Sequence, residues 1–397
     1  MPISNEELVR KAVITTDALA AQGKLNTAQS DAFIDFVINE TVLKDHARVV
    51  KFRNEDLDID KIGVGARVAM PKVEAQDPGI RRGINTSKVT LRPEEIIVPF
   101  EIGDVFKEVN IEGSNVEERI IRMMATQLAN DLEELYILGD KLGPAITPEN
   151  FFGQGSSTDF RKDTYLALFD GWSRLGDSAN VVDAEGSNIG LNIFGRMLRA
   201  MPTKFRRNKE MLRFYLSPDL WQLFEEKLAT RATKLGDDAA AGGSLGPFGV
   251  RAVPIPLWDL QPLAVEHIVL TALLATSLRS TGVTNVVVNN DTLGATAETP
   301  FIEDTDYILD AAAGTIARKS GSAIGDGDTV KVTYNASPQI LLTHRMNFIV
   351  GIGRDIRIEK DRDIFKGVNQ YAITAKVSVE FEEDEALVKA KNLGTDI

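Results

Sequence analysis

Two strand-like runs bearing prolines set the limits on how this chain can fold. From Ile62 to Met70 apolar residues alternate with Gly63, Gly65, Arg67 and Ala69. Alternation returns at Val89 and Leu91, and again at Ile96, Val98, Phe100 and Ile102. Between the runs lies a polar tip, Glu74 to Ser87, with the turn residues Asp77-Pro78-Gly79 and the pair Arg81-Arg82. Pro71, Pro93 and Pro99 each lack a ladder donor, so the sequence predicts a long hairpin whose arms are edge strands and which projects from the body. The natural partner of such an edge is another molecule.

The flanking segments have a definite order. Ser4 and Glu7 make a capping box before Leu8, Ala12, Ile14, Ala18 and Leu19, and a second helical stripe runs from about Thr27 to Val42. These two short helices form an arm too small for a core of its own. Ser114 and Glu117 cap a long helix with Ile120, Met124, Leu128, Leu132 and Leu135 on one face, ending at Gly139. From Phe151 to His267 the pattern is mixed. Helices are expected at Thr164–Leu175, Leu191–Met201 and Ser217–Leu235, with strands at Met211–Leu216, Val250–Ile255 and His267–Leu273. Residues 281–337 read as an inserted all-β unit with runs at Asn285–Val288, Asp306–Leu309, Gly314–Arg318 and Val330–Tyr334. Strand residues resume at Ile340 and Leu342, then Phe348, Val350 and Ile352, and Tyr371 to Phe381 alternates over eleven positions.

Chemistry is hard to find. The 45 Lys plus Arg against 58 Asp plus Glu leave a net charge of −13, which disfavours wrapping nucleic acid through phosphates. Zero cysteine excludes disulfides, thiolate nucleophiles and cysteine-ligated metals, and fits a reducing cytoplasm. His46, His267 and His344 have no ligand spacing, so no metal is expected, and neither is a cofactor. The acidic start predicts no secretion signal, and no apolar run approaches a membrane span. Gly242-Gly243-Ser244-Leu245-Gly246 matches a nucleophile elbow, with His267 or His344 available as base, yet it lacks the strand before and the helix after. Gly63-Val64-Gly65 and Gly351-Ile352-Gly353 read as strand glycines, and Asp326-Gly327-Asp328 as a hairpin turn. The acidic run Glu380, Glu382, Glu383, Asp384, Glu385 reads as a solvated or cross-subunit ion-paired face. Lys204 to Lys209 is the one dense basic patch, open to a phosphate or partner-carboxylate contact.

The order of parts resembles the major capsid proteins of tailed bacteriophages, the Hong Kong 97-type fold. Phe348-Ile349-Val350-Gly351-Ile352-Gly353-Arg354-Asp355-Ile356-Arg357-Ile358-Glu359 is similar to that family's strand–Gly-Ile-x-Arg-Asp segment. Phe214 to Pro218 with Phe248 to Pro254 is similar to its axial-domain strands. The resemblance implies an α+β chain divided into an N-terminal arm (1–60), an extended β-hairpin loop (61–110), a peripheral domain with the spine helix (111–150), an axial domain (151–280), an inserted small all-β domain (281–337) and a return to the axial and peripheral domains (338–397).

The implied function is a self-assembling, non-catalytic shell subunit of a virion, built as pentamers and hexamers in the host cytoplasm and passing through a procapsid. It would enclose double-stranded DNA without sequence-specific binding. The chain lacks a long coiled-coil-like N-terminal extension, so a separate scaffolding protein is expected, besides a portal and a decoration protein. Subunit contacts are expected at Arg67, Lys72, Arg81, Arg82, Lys88, Arg92, Arg354 and Asp355. Some members of the family join a loop lysine to a neighbour's asparagine, for which Lys72 or Lys88 and Asn347 or Asn369 stand in suitable segments. Three other readings remain: a nanocompartment (encapsulin-like) shell, a serine hydrolase using Ser244, and a carbohydrate-binding protein acting through the β insert.

Overall fold

The structure is a computed structural model that describes residues 13–14, 42–52, 56–63, 85–103, 116–141, 165–230, 246–271, 273–290 and 300–394. In chain order its strands and helices begin with Val13–Ile14 (β1), Ala47–Lys51 (β2), Leu57–Gly63 (β3), Asn85–Leu91 (β4), Glu94–Gly103 (β5) and the helix Val116–Leu138 (α1). Next come Trp172–Leu175 (α2), Asn180–Asp183 (β6), Leu191–Ala200 (α3), Thr203–Arg206 (α4), Leu212–Leu216 (β7), Pro218–Ala229 (α5) and Arg251–Pro254 (β8). Six strands follow: Leu263–Leu270 (β9), Thr276–Ser277 (β10), Thr284–Asn290 (β11), Tyr307–Asp310 (β12), Thr315–Arg318 (β13) and Asp328–Asn335 (β14). The last are Ile340–His344 (β15), Phe348–Asp363 (β16), Val368–Phe381 (β17) and Leu387–Lys391 (β18).

The alternation in β17 sends Tyr371, Ile373, Ala375, Val377, Val379 and Phe381 to one buried face. Ile96, Phe100 and Ile102 of β5 join them, and Phe100 stacks on Tyr371 at 4.9 Å. These strands lie in a five-stranded sheet ordered β1-β5-β17-β16-β2. Helix α1, about 34 Å long at 1.5 Å per residue, joins the same core through Ala125, Leu128, Ala129, Leu132 and Leu135. A second five-stranded sheet, β6-β18-β15-β7-β8, packs with α3 and α5. Ser217 caps α5 by accepting from Leu220 N at 3.2 Å, and Pro218 opens it, as the sequence predicts. Two three-stranded sheets, β11-β14-β9 and β10-β13-β12, share a third core around Ile268, Leu270, Ile316, Val330 and Tyr334.

Several expectations are corrected. The described base of the hairpin is built differently: β3 starts at Leu57 and pairs with β4 from Leu57↔Leu91 to Gly63↔Asn85 as a separate two-stranded sheet, while the run from 64 to Met70 lies outside the described residues. The run at Ile96 to Ile102 is not its second arm. It is β5, which pairs with β17 from Gly103↔Val368 to Glu94↔Val377. Arg92-Pro93 separates the two ladders, and a donorless proline suits that break. β5 is not an edge strand, yet among the described residues β1 pairs only with Glu101 and Ile102, so no described strand lies along Pro99 on that side.

Val13 and Ile14, placed in a helix by their spacing, form a short parallel strand on β5. Val42–Asp45 is a single 3-10 turn, and the rest of both N-terminal helices lies outside the described residues. Residues 47–51, assigned to the arm, pair in parallel with β16. The helix expected at Thr164–Leu175 is reduced to α2, because the preceding chain turns tightly against the end of α1. Gly171 N donates to Gly139 O at 2.7 Å, and a Cβ on Gly139 would meet Phe169 O at 2.5 Å. The strand expected at His267–Leu273 runs from Leu263 to Leu270. It pairs with all eight residues of β14, so the β core starts at Leu263 rather than at 281.

Candidate assembly interface

Four of the expected contact residues, Arg67, Lys72, Arg81 and Arg82, lie outside the described residues. The base of the hairpin is described, and its two faces differ. Leu57 and Ile59 turn partly inward with buried Val89 and Leu91, while Asp56, Asp58, Asp60, Lys88 and Arg92 face solvent. Lys88 Nζ donates to Asp58 Oδ2 at 2.7 Å, and Thr90 Oγ1 donates to Asp58 Oδ1 at 2.6 Å. The Lys88 and Thr90 hydrogen bonds hold the Asp58 carboxyl below the usual range, and Asp58 in turn raises Lys88. Arg92 Nε stands 3.7 Å from Asp56 Oδ2. These cations are therefore exposed but already engaged within the chain.

Arg354 lies on β16 in register with Lys376 of β17, which is in turn in register with Glu95 of β5. Both cations converge on that carboxylate: Arg354 Nη2 binds Glu95 Oε1, and Lys376 Nζ is 3.8 Å from Oε2. The hydrogen bond from Arg354 keeps the Glu95 carboxyl low. Asp355 follows in a stretch where the β16–β17 register shifts twice, between Ile352 and Arg354 and between Arg354 and Arg357. The glycines before it permit close approach. A Cβ on Gly351 would meet Ser378 Oγ at 2.6 Å, and one on Gly353 would meet Pro93 Cγ at 2.6 Å.

The structure places Asn347 and Asn369 in the interior, at 4% and 2% exposure. Asn347 Nδ2 donates to Thr343 Oγ1 at 2.9 Å and to Glu383 O at 3.0 Å, while its Oδ1 accepts from Glu383 N at 2.8 Å. Neither amide is presented to a neighbour. The acidic run is partly tied down within the chain, with Arg48–Glu382 at 3.4 Å and Lys204–Glu385 at 2.5 Å. In the basic patch Arg206 Nη1 also donates inward, to Leu198 O at 3.2 Å, whereas Arg207 and Lys209 are exposed.

The histidines are scattered. His46 packs edge-on to Tyr215 at 5.6 Å, His267 lies on β9, and burial pushes the His344 imidazole down. Ser244 lies outside the described residues. Asp326-Gly327 is a turn, with Gly327 at φ +84° and its N–H on Leu270 O at 2.9 Å, but not the hairpin turn expected, because β13 before it and β14 after it lie in different sheets. Among the described residues no three His, Asp or Glu side chains are grouped to hold a metal, and no helix is long and apolar enough to cross a membrane.

Two features escaped the sequence reading. At the junction of α1, α2, β9 and β18, Arg279 Nη1 binds Asp140 Oδ2 at 2.7 Å and Nη2 donates to Val265 O at 2.8 Å. Beside it Lys389, 2% exposed, donates to Ser173 O and to Asp177 Oδ1 at 2.8 and 2.7 Å. These partners are distant in sequence, so no local pattern marks them. The second feature is the turn joining β16 to β17, which carries Ile364 and Phe365 into solvent. An apolar pair between Asp363 and Lys366-Gly367 was a visible signal for it.

No family model matches the chain. It is 30% identical over 394 residues to YqbE of Bacillus subtilis (strain 168), named as a prophage capsid protein, covering 97% of each sequence. Among solved structures it resembles a chain of the satellite phage P4 procapsid that includes the size determination (Sid) protein. That match has a TM-score of 0.55 and 9% identity, over 95% of this chain and 93% of the other. A chain from the capsid of a native GTA particle matches with a TM-score of 0.48 and 12% identity, over 94% and 93%.

Proposed function

The chain belongs to the phage and prophage capsid proteins, and from that premise we propose how its parts meet in the shell. It is a major capsid protein: copies of it form the shell of a virion, and that shell is where it resides. The observation that carries this conclusion is 30% identity spread over 97% of both the chain and its prophage relative.

The finer arrangement is Hong Kong 97-type. Helix α1 is the spine of a peripheral domain whose sheet is β1-β5-β17-β16-β2, and the sheet β6-β18-β15-β7-β8 with α3 and α5 is the axial domain. The β unit, with a core of its own, is an insertion docked on the rest through Arg279–Asp140 and Thr281–Asn392. The segment carried by β3 and β4 lies over a neighbouring subunit, with Arg67, Lys72, Arg81, Arg82, Lys88 and Arg92 on it, while Arg354 and Asp355 meet a neighbour from β16. The role is structural rather than enzymatic. Each contact is individually modest, and repetition makes the closed shell stable. Pentamers and hexamers form with a separate scaffolding protein, a portal and a decoration protein, and enclose DNA without reading its sequence. A net charge of −13 per copy suits a wall that does not hold the genome tightly.

The loop's role has a direct test. Deletion of residues 74–84, which spares the β3–β4 ladder, leaves the circular dichroism and melting of the subunit unchanged but prevents closed shells by electron microscopy. Normal shells from that deletion exclude the loop as a bridge between neighbours.

A further inference from the structure

One dense basic run stands apart from the subunit contacts proposed above. From Arg199 to Lys209, five cations (Arg199, Lys204, Arg206, Arg207, Lys209) occupy eleven residues with no acid among them, in a chain whose net charge is −13. The fold keeps this run on the outside of the sheet β6-β18-β15-β7-β8. Helix α3 turns Ile193, Phe194, Met197 and Leu198 into the core against that sheet, so Arg199 in its last turn is left exposed. Met201 and Leu212 are both buried and pin the chain on either side of α4. Between them Phe205 N donates to Pro202 O at 3.1 Å and Met211 N donates to Asn208 O at 3.3 Å, which holds the intervening turns in shape.

Two of the five cations are engaged within the chain, Lys204 with Glu385 and Arg206 with Leu198 O. Arg199, Arg207 and Lys209 are exposed, and among the described residues none of the three has an acidic partner. Lys88, Arg92 and Arg354 differ, since each meets a carboxylate of its own subunit. Thr203 and Asn208 are exposed between the cations and add neutral hydrogen-bond donors. No large apolar side chain from Arg199 to Lys209 is exposed: Phe205 is half-buried, with Lys204 Nζ 4.7 Å from the centre of its ring.

We infer that Arg199, Arg207 and Lys209 bind the phosphate backbone of double-stranded DNA, as one point of contact on each copy. The chemistry decides between this partner and a second protein. Arg, Lys, Thr and Asn are the side chains that contact phosphate oxygens, whereas a protein interface is built around an apolar and aromatic centre, which this run lacks. The acidic remainder of the chain repels a polyanion, so contact is confined to the run. Backbone contacts carry no sequence information, which suits a shell that encloses a genome without reading it. This inference rests on the capsid reading above and names the surface through which the subunit meets the enclosed DNA.

The test is fluorescence anisotropy of the purified full-length subunit with a labelled duplex of mixed sequence, across a salt series. Arg199→Gln, Arg207→Gln and Lys209→Gln are combined in one variant, which melts as the parent does because all three side chains are exposed. It binds the duplex roughly tenfold more weakly at low salt, and its slope of log affinity against log salt is shallower by about 3. A control with Lys88→Gln, Arg92→Gln and Lys366→Gln removes the same charge from cations that have carboxylate partners, and binds as the parent does. Equal binding by parent and triple variant, an equal loss in the control, or no binding by the parent at the lowest salt overturns the inference. Poly-glutamate that competes with the duplex charge for charge assigns the run to an acidic protein and overturns it too. These outcomes leave the capsid reading intact, because that reading is judged by shell formation in electron microscopy. There the triple variant closes shells as the parent does; shells lost in that variant alone make the run a subunit contact and overturn the inference.

Discussion

Lys389 shows how much of this subunit depends on single buried charges. Desolvation pushes its ammonium down, and Asp177 opposes that shift through a 2.7 Å contact. Burial in turn raises the Asp177 carboxyl, but Lys389 and Arg174 together outweigh it and leave the group lower than an ordinary aspartate. Replacing Lys389 by alanine leaves Asp177 with Arg174 alone, removes the bond to Ser173 O and costs about 2 kcal/mol in urea unfolding; paired with Asp177→Leu, Lys389→Met recovers most of the loss. The acid side has a definite sign. A carboxyl lowered on folding contributes stability that is complete above its unfolded value of 3.8 and is lost as pH falls through the folded value. Asp177→Asn therefore flattens the acid limb of the stability curve. A different buried carboxylate, Glu133 of α1, is raised by burial while its Oε2 accepts from Val42 N at 3.2 Å, so it anchors the turn at Val42–Asp45. None of these pairs was legible in the sequence, because Lys389 and Asp177 are 212 residues apart and Glu133 and Val42 are 91 apart. Gly351 and Gly353 were legible as strand glycines, since a glycine inside an alternating run needs a close neighbour to explain it.

Among the elements, those with long uninterrupted periods came through best. The stripe from Ile120 to Leu135 gave α1, and eleven alternating positions gave β17, each because one buried face dictates every second or every third to fourth residue. Partner choice did not come through. Alternation tells which residues share a face but not which strand lies alongside, so β5 was attached to the hairpin when its ladder is with β17. The helix expected before Leu175 failed for a local reason, the backbone contact between Gly139 and Gly171. That contact also supplies the prediction at this scale. Gly139→Ala puts a methyl 2.5 Å from Phe169 O and 2.7 Å from Leu135 O, both backbone atoms that cannot swing away. The end of α1 then separates from the chain at Gly171, and thermal melting shows a loss of about 2 kcal/mol.

For the whole molecule, the order of parts was readable although most contacts were not, and the order was enough to point to a shell protein. The described contact residues explain why a list of charges was a weak guide to assembly: Lys88, Arg92 and Arg354 each have an acidic partner within the subunit. Apolar surface is the better guide. Ile364 and Phe365 at the hairpin tip, Leu273 and Leu274 after β9, and Ile302 and Ile308 in the β unit are all exposed in the isolated chain. Groups of this kind are the ones that subunit contacts cover. The central claim is that those contacts are with further copies, and electron microscopy of the purified full-length protein, with and without a candidate scaffold, tests it most directly. Uniform closed shells are the predicted result; particles that stay single at high concentration, at every salt and with every scaffold, would contradict it.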